Sequence, residues 1–170
     1  EHGRPPRVQL GAGLSPTLTA KRASFVTLTL DGRLRGCIGS MAAHRPLLID
    51  VADNAWKAAF GDRRFPALTA EELDRLDVSV SILSVPHPFA FENEADLVRQ
   101  VRPDVDGLVL QDGDRRGIFL PSVWSGIPKA AAFVTQLKRK AGLPPDHWSD
   151  TLRVFRYTTE SFGATFQETA

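Results

Sequence analysis

At 170 residues, 42% of them hydrophobic and 24% charged, the chain suits a soluble globular domain of one or two lobes and is long enough to bury a proper core. A formal net charge of +1 gives no bulk drive toward nucleic acid or a membrane surface, and the 21 basic residues are scattered rather than blocked together. A single cysteine excludes an internal disulfide and any multi-cysteine zinc or iron–sulfur site within one chain, and it fits a reducing, cytoplasmic compartment.

The chain opens on Glu1 rather than Met, which reads as a trimmed start. Residues 1–23, rich in proline and glycine, read as an irregular arm ahead of a single domain over 24–170. No apolar run approaches the length of a membrane span. Phe25–Leu30 (FVTLTL) alternates bulky and polar residues as a half-buried strand does, and Asp31-Gly32 is the pair preferred in a two-residue type I′ turn. With that turn Leu30 faces Arg33, Leu28 faces Arg35 and Val26 faces Cys37. A guanidinium and a thiol would then share a face with aliphatic neighbours. Gly36 and Gly39 flank the thiol and leave room for a ligand or another backbone.

Pro46 is placed to start a helix, with Leu47, Leu48, Val51, Ala55, Ala58 and Ala59 on one stripe, Asp50, Asp53, Asn54 and Lys57 opposite, and Gly61 as the cap. Asp62–Pro66 is a charged turn. Thr69 with Glu72 forms a capping box for a short helix to Leu76. Val78–Leu83 reads as a strand broken by Pro86-His87-Pro88, and Asn93 with Asp96 opens a short helix to Val101. Gly107–Leu110 and Gly117–Leu120 form a second hairpin with a longer loop, in which Asp112 and Asp114 are turn residues because the remaining ligands of a calcium loop are missing. A loop carrying Trp124 leads to a helix from Pro128 that bears Ala131, Val134, Leu137 and Ala141 and ends at Gly142. Leu152–Thr158 is a last strand. Hairpins with irregularly interspersed helices predict an α+β fold around a mainly antiparallel sheet flanked by helices.

Cys37 reads either as a nucleophile favoured by a nearby cation or as a small buried hydrophobe. Arg35 on an inward face needs an anion, supplied by Asp62, another carboxylate, or a ligand carboxylate or phosphate. Asp62, set against the dipole at a helix C-terminus, implies a specific partner, and Asp62 with Arg64 forms either a structural lock or a pocket wall. His2, His44, His87 and His147 show no metal-ligand spacing, so no metal is expected, and no phosphate loop, dinucleotide fingerprint or nucleophile elbow points to a cofactor. Trp56, Trp124 and Trp148 lack the basic stripe of a base-stacking platform and read as packing residues.

Leu34–Gly39 (LRGCIG), followed by Ala58-Ala59-Phe60 with Asp62, Arg64 and Phe65, resembles the paired LRGCIG and AAFxDxRF motifs of the AMMECR-type domain, also called protein A of the AmmeMemoRadiSam system. Val78–Leu83, Asp106-Gly107-Leu108, Leu120-Pro121 with Val123, and Lys140–Leu143 with Trp148 follow in the family's order, so the resemblance runs from about Ser24 to Phe162. Arg63 stands where proline is usual, and Ser122 where glutamine is common. The resemblance implies an α+β fold with an antiparallel sheet and a smaller lobe. It also implies association with a Memo-like protein and a radical SAM protein, and a functional site at Arg35, Gly36 and Cys37. It implies no particular reaction.

Two functions remain open on these residues. The chain is an enzyme or substrate-binding subunit for a small anionic or amide-bearing substrate, with Cys37 catalytic and Arg35, Gly36, Asp62 and Arg64 binding the substrate. Alternatively it is a non-catalytic module that docks a partner protein through the same hairpin. Nucleic-acid binding is least favoured by the near-neutral charge.

Overall fold

The computed structural model describes residues 3, 5 and 7–165; His2 and the last five residues of the expected 24–170 domain lie outside them. The fold is α+β, built on two four-stranded antiparallel sheets. It divides into two compact units, one formed by the chain up to Leu83 together with the segment from Glu160, the other by Ser84–Thr159.

In the first unit, a single helical turn α1 (Pro16–Thr19) precedes β1 (Ser24–Leu30), β2 (Arg33–Gly39) and helix α2 (Leu47–Phe60). A 3-10 turn at Ala70–Arg75 leads into β3 (Leu76–Leu83), and β8 (Thr159–Thr165) returns to complete the sheet in the order β2-β1-β3-β8. The turn is the expected one: Asp31 and Gly32 take φ of 51° and 75°, the left-handed values of a type I′ turn. Val26, Leu28, Val78 and Val80 pack with Val51, Ala55 and Ala58 of α2. Gly36 makes this approach possible, because a Cβ there would collide with the carbonyl oxygen of Ala58.

The helix α2 differs from its expected polarity. Asp50 and Asn54, placed on the solvent side by periodicity, are buried. Asp50 accepts hydrogen bonds from Ser24 N–H (2.9 Å), Ser24 Oγ (2.6 Å), Ser40 Oγ (2.6 Å) and Arg45 Nε (2.7 Å), and Asn54 Nδ2 donates to it at 3.0 Å. Burial opposes its ionisation, but these bonds outweigh that and lower its pKa. The network ties the start of β1 and the end of β2 to the first turn of α2.

The second unit contains β4 (His87–Pro88), α3 (Glu94–Gln100), β5 (Gly107–Asp112), β6 (Arg115–Phe119), a 3-10 turn at Pro121–Ser125, α4 (Ala130–Lys140) and β7 (Arg153–Tyr157), with sheet order β4-β7-β5-β6. The expected break at Pro86–Pro88 contains the short β4, paired with β7. The β5–β6 loop is shorter than expected: Asp112 pairs directly with Arg115, leaving only Gly113 and Asp114 in the turn. Leu97, Leu108, Leu110, Trp124, Phe133, Val134 and Leu137 form the core, with Trp124 stacked on Phe133 at 3.7 Å between centroids. Its indole N–H donates to the Asp106 carbonyl at 2.8 Å, which satisfies the one polar group the ring carries inward.

Candidate functional site at the Cys37 hairpin

The hairpin carries one residue more on β2 than the simple register allows. Leu30 faces Arg33 and Thr29 faces Leu34, but Leu28 faces Gly36, so Arg35 is a bulge. Every later pairing moves by one, and Cys37 lies opposite Thr27, not Val26. This corrects the shared-face expectation: Cys37 points away from the Val26–Leu28 face that packs on α2. Its Sγ lies 3.3 Å from Thr27 Oγ1, the close approach of a non-hydrogen-bonded antiparallel pair. Ser79 is the next residue in the same row, across β1 from Cys37.

Arg35 is buried, and its donors are engaged. Nε and Nη2 bond the two oxygens of Glu72 at 2.6 and 3.0 Å, and Nη1 and Nη2 reach the carbonyls of Pro66 and Ala67 at 2.9 and 3.2 Å. Its carboxylate partner is thus Glu72 rather than Asp62. The Arg35 hydrogen bonds, and then the Thr69 N–H at 2.8 Å, lower the Glu72 pKa to about 2. One carboxylate therefore closes the capping box and anchors the bulge. The Thr-x-x-Glu spacing was the available signal for Glu72, but it speaks only of the helix cap.

Asp62 and Arg64 serve the edge of the sheet. β2 is an outer strand, so the N–H and C=O of Cys37 face away from β1. Asp62 Oδ2 accepts the Cys37 N–H at 2.9 Å, while Arg64 Nη2 donates to the Cys37 carbonyl at 3.1 Å. The pair is itself closed by Arg64 Nε to Asp62 Oδ1 at 2.9 Å and Nη2 to Oδ2 at 2.6 Å. Two side chains thus stand in for a neighbouring strand, which protects an edge from unwanted pairing. Hydrogen bonding from Arg64, and then from the Cys37 N–H, holds the Asp62 carboxyl far below the usual carboxylate range against a smaller desolvation effect. Hydrogen bonding to Asp62, and then the Asp62 charge, raise the Arg64 pKa against a desolvation effect smaller than that of the hydrogen bonds. The Arg64 side chain remains 57% exposed, and its Nη1 has no hydrogen-bond partner among the described residues.

The structure thus brings Cys37, Asp62 and Arg64 together, sets Arg35 behind them against Glu72, and uses Gly36 to seat the strand on α2. A hollow of about 480 Å³ at the turn end is lined by Leu30, Asp31, Arg33, Leu34 and Arg35, without Cys37. No group of three or more His, Cys, Asp or Glu residues that could hold a metal occurs among the described residues. No helix among them is long and apolar enough to cross a membrane.

A family model described as AMMECR1 matches residues 2–162. A protein of Methanothermobacter thermautotrophicus is 40% identical over 159 residues, covering 91% of this chain and 82% of its own. A protein of Thermotoga maritima is 38% identical over 144 residues, covering 84% and 78%. The crystal structure of an uncharacterized protein from Pyrococcus horikoshii matches with a TM-score of 0.81 and 32% identity, over 95% of this chain and 82% of that one. With a family model spanning residues 2–162 and a relative 40% identical over 91% of the chain, the chain belongs to the AMMECR1 family.

Proposed function

We propose that this protein is a substrate-binding subunit for a small anionic or amide-bearing molecule, with Cys37 as the group that meets the substrate and Arg64 as the cation beside it. The Memo-like and radical SAM proteins that the family resemblance implies are the working partners we assign to it. The observation that carries this reading is the state of Arg64, fastened to Asp62 and to the Cys37 carbonyl yet more than half exposed and with no hydrogen-bond partner for Nη1 among the described residues. A guanidinium held in place with a free donor edge suits an anion or a carbonyl oxygen. Arg35, Asp62 and Gly36 then act by holding the strand that carries the thiol.

Binding is favoured over nucleophilic catalysis because the Cys37 Sγ has Thr27 as its hydrogen-bond partner and, among the described residues, no His or carboxylate in that role. Docking of a partner by strand addition at Cys37 is disfavoured, since both outward backbone groups would first have to be released from Asp62 and Arg64.

The test compares two alkylating agents on the folded protein, anionic iodoacetate and neutral iodoacetamide; the single cysteine makes the labelled site unambiguous. Cys37 should label without unfolding, and Arg64→Gln should lower the iodoacetate-to-iodoacetamide rate ratio about two- to fivefold, as expected for the loss of one nearby charge in a mostly aqueous setting. Labelling only after unfolding, or a ratio unmoved by Arg64→Gln, refutes the proposal.

A further inference from the structure

The second unit contains a cleft of about 340 Å³ that includes neither Cys37 nor its neighbours. Its walls carry Phe89, Phe91, Trp148 and Phe155, and its lining also includes Glu92, Asp150 and Arg153. Volume and aromatic lining match those of small-molecule sites.

The walls are fixed from behind. Phe91 and Trp148 meet edge to face at 5.5 Å between centroids. Behind Trp148 lies the Lys138 ammonium, 5.5 Å from the ring centre, fully buried, paired with Glu94 at 2.7 Å and bonded to the Pro145 carbonyl at 3.2 Å. Ser149 is held by Asp112 Oδ2 at 2.8 Å, and the same carboxylate accepts from His147 at 2.5 Å and Thr151 at 2.6 Å. Phe89 has the Arg156 guanidinium over its ring at 4.5 Å and donates its backbone N–H to the Val154 carbonyl at 2.8 Å. A cleft braced in this way loses little freedom on binding.

Chemistry narrows the ligand. Phe89 and Trp148 already carry internal cations, so the aromatic wall selects a flat apolar body rather than a cation. Glu92 and Asp150 set negative charge beside the positive charge of Arg153. Arg153 Nη1 is bonded to the carbonyls of Asp150 and Leu152 at 2.8 and 3.0 Å, while Nε and Nη2 have no partner among the described residues. A simple cation would meet Arg153, and a simple anion would meet two carboxylates. We infer that this cleft binds a small zwitterion with an aromatic body, the class of an aromatic α-amino acid, its ammonium toward Glu92 and Asp150 and its carboxylate toward Arg153.

The test titrates the full chain with L-phenylalanine, phenethylamine and phenylacetate, following the Trp148 indole N–H resonance. L-Phenylalanine should shift it saturably and bind more tightly than either singly charged analogue. Arg153→Gln should weaken L-phenylalanine about tenfold, the scale of one charge-assisted contact, and leave phenethylamine unweakened. The double variant Glu92→Gln, Asp150→Asn should weaken L-phenylalanine and leave phenylacetate unweakened. All three rim residues are exposed, so the fold is expected to survive these changes. No saturable shift at about 10 mM of any probe, a fragment weaker than any useful site, overturns the inference. So does equal affinity for all three probes, or L-phenylalanine binding indifferent to the rim variants.

Discussion

Removing the Glu72 carboxylate should expose how much of the hairpin depends on one buried ion pair. Glu72→Ala deletes two charge-assisted bonds to Arg35 and the acceptor of the Thr69 N–H. Breaking a fully buried pair costs about 3–5 kcal/mol, because a charge is left uncompensated. Here the side chains are 10% and 17% exposed, and Arg35 keeps the Pro66 and Ala67 carbonyls. The ion-pair loss should therefore fall nearer 2 kcal/mol, with up to about 1 kcal/mol more from the lost cap, a total of about 3 kcal/mol. Urea unfolding followed by circular dichroism measures this. Replacing both partners, Arg35→Met with Glu72→Leu, should cost less than the sum of the single changes by about 1–2 kcal/mol, since no orphan charge remains.

The pH dependence of this pair has a definite sign. The folded Glu72 pKa of about 2 lies below its ordinary value of 4.5, so the unfolded chain takes up the proton first as pH falls. The contribution is complete above about 4.5 and is lost as pH drops toward 2, and Glu72→Ala should flatten the stability profile across that window. With the bulge released, the strand can relax toward the simple register that turns Cys37 to the α2 face, so alkylation of the thiol should slow. A loss below about 0.5 kcal/mol, together with unchanged alkylation, would show that Glu72 does not hold Arg35 and the bulge in place.

Two further changes test the same physical account. Gly36→Ala should destabilise by about 3 kcal/mol or more, or abolish folding, because its Cβ meets the Ala58 carbonyl rather than a movable side chain; a variant as stable as the parent in thermal unfolding contradicts the close packing. Hydrogen bonds from Thr151, His147 and Ser149 lower the Asp112 pKa to about 2 from 3.8, so its hold on these residues is complete above about 3.8 and lost as pH falls toward 2. Asp112→Ala should accelerate amide exchange over residues 146–152 at neutral pH, and unchanged exchange there would remove Asp112 as the anchor of that segment.

Much of the architecture is legible locally. Alternation in FVTLTL with Asp-Gly gives the first hairpin and its turn, the Leu47–Ala59 stripe gives α2, and Thr69 with Glu72 gives the cap, because these depend on neighbours within a few residues. LRGCIG and AAFxDxRF drew attention to two segments that the structure brings together at Cys37, Asp62 and Arg64, but not to what each residue contacts there. The Arg35 bulge has no local signature; it is held by Glu72 and two carbonyls more than 30 positions away. Asp50 and Asn54 follow the polar face of a helical repeat, yet Ser24 and Ser40 make that face interior. β8, with no alternating apolar pattern, becomes a strand by joining the edge of the first sheet, where Ser161 meets Ser81 at 2.8 Å and Thr165 meets Asp77 at 2.7 Å.

Composition, periodicity and turn chemistry thus determined the α+β class, most of the helices and strands, and the hairpin that carries Cys37. Tertiary structure alone decided which face the thiol takes, which carboxylate neutralises the buried arginine, and that Asp62 and Arg64 replace a missing strand. The physical reason is reach: backbone propensity acts over one or two turns, whereas register and charge pairing are settled by groups that only folding brings within about 3 Å.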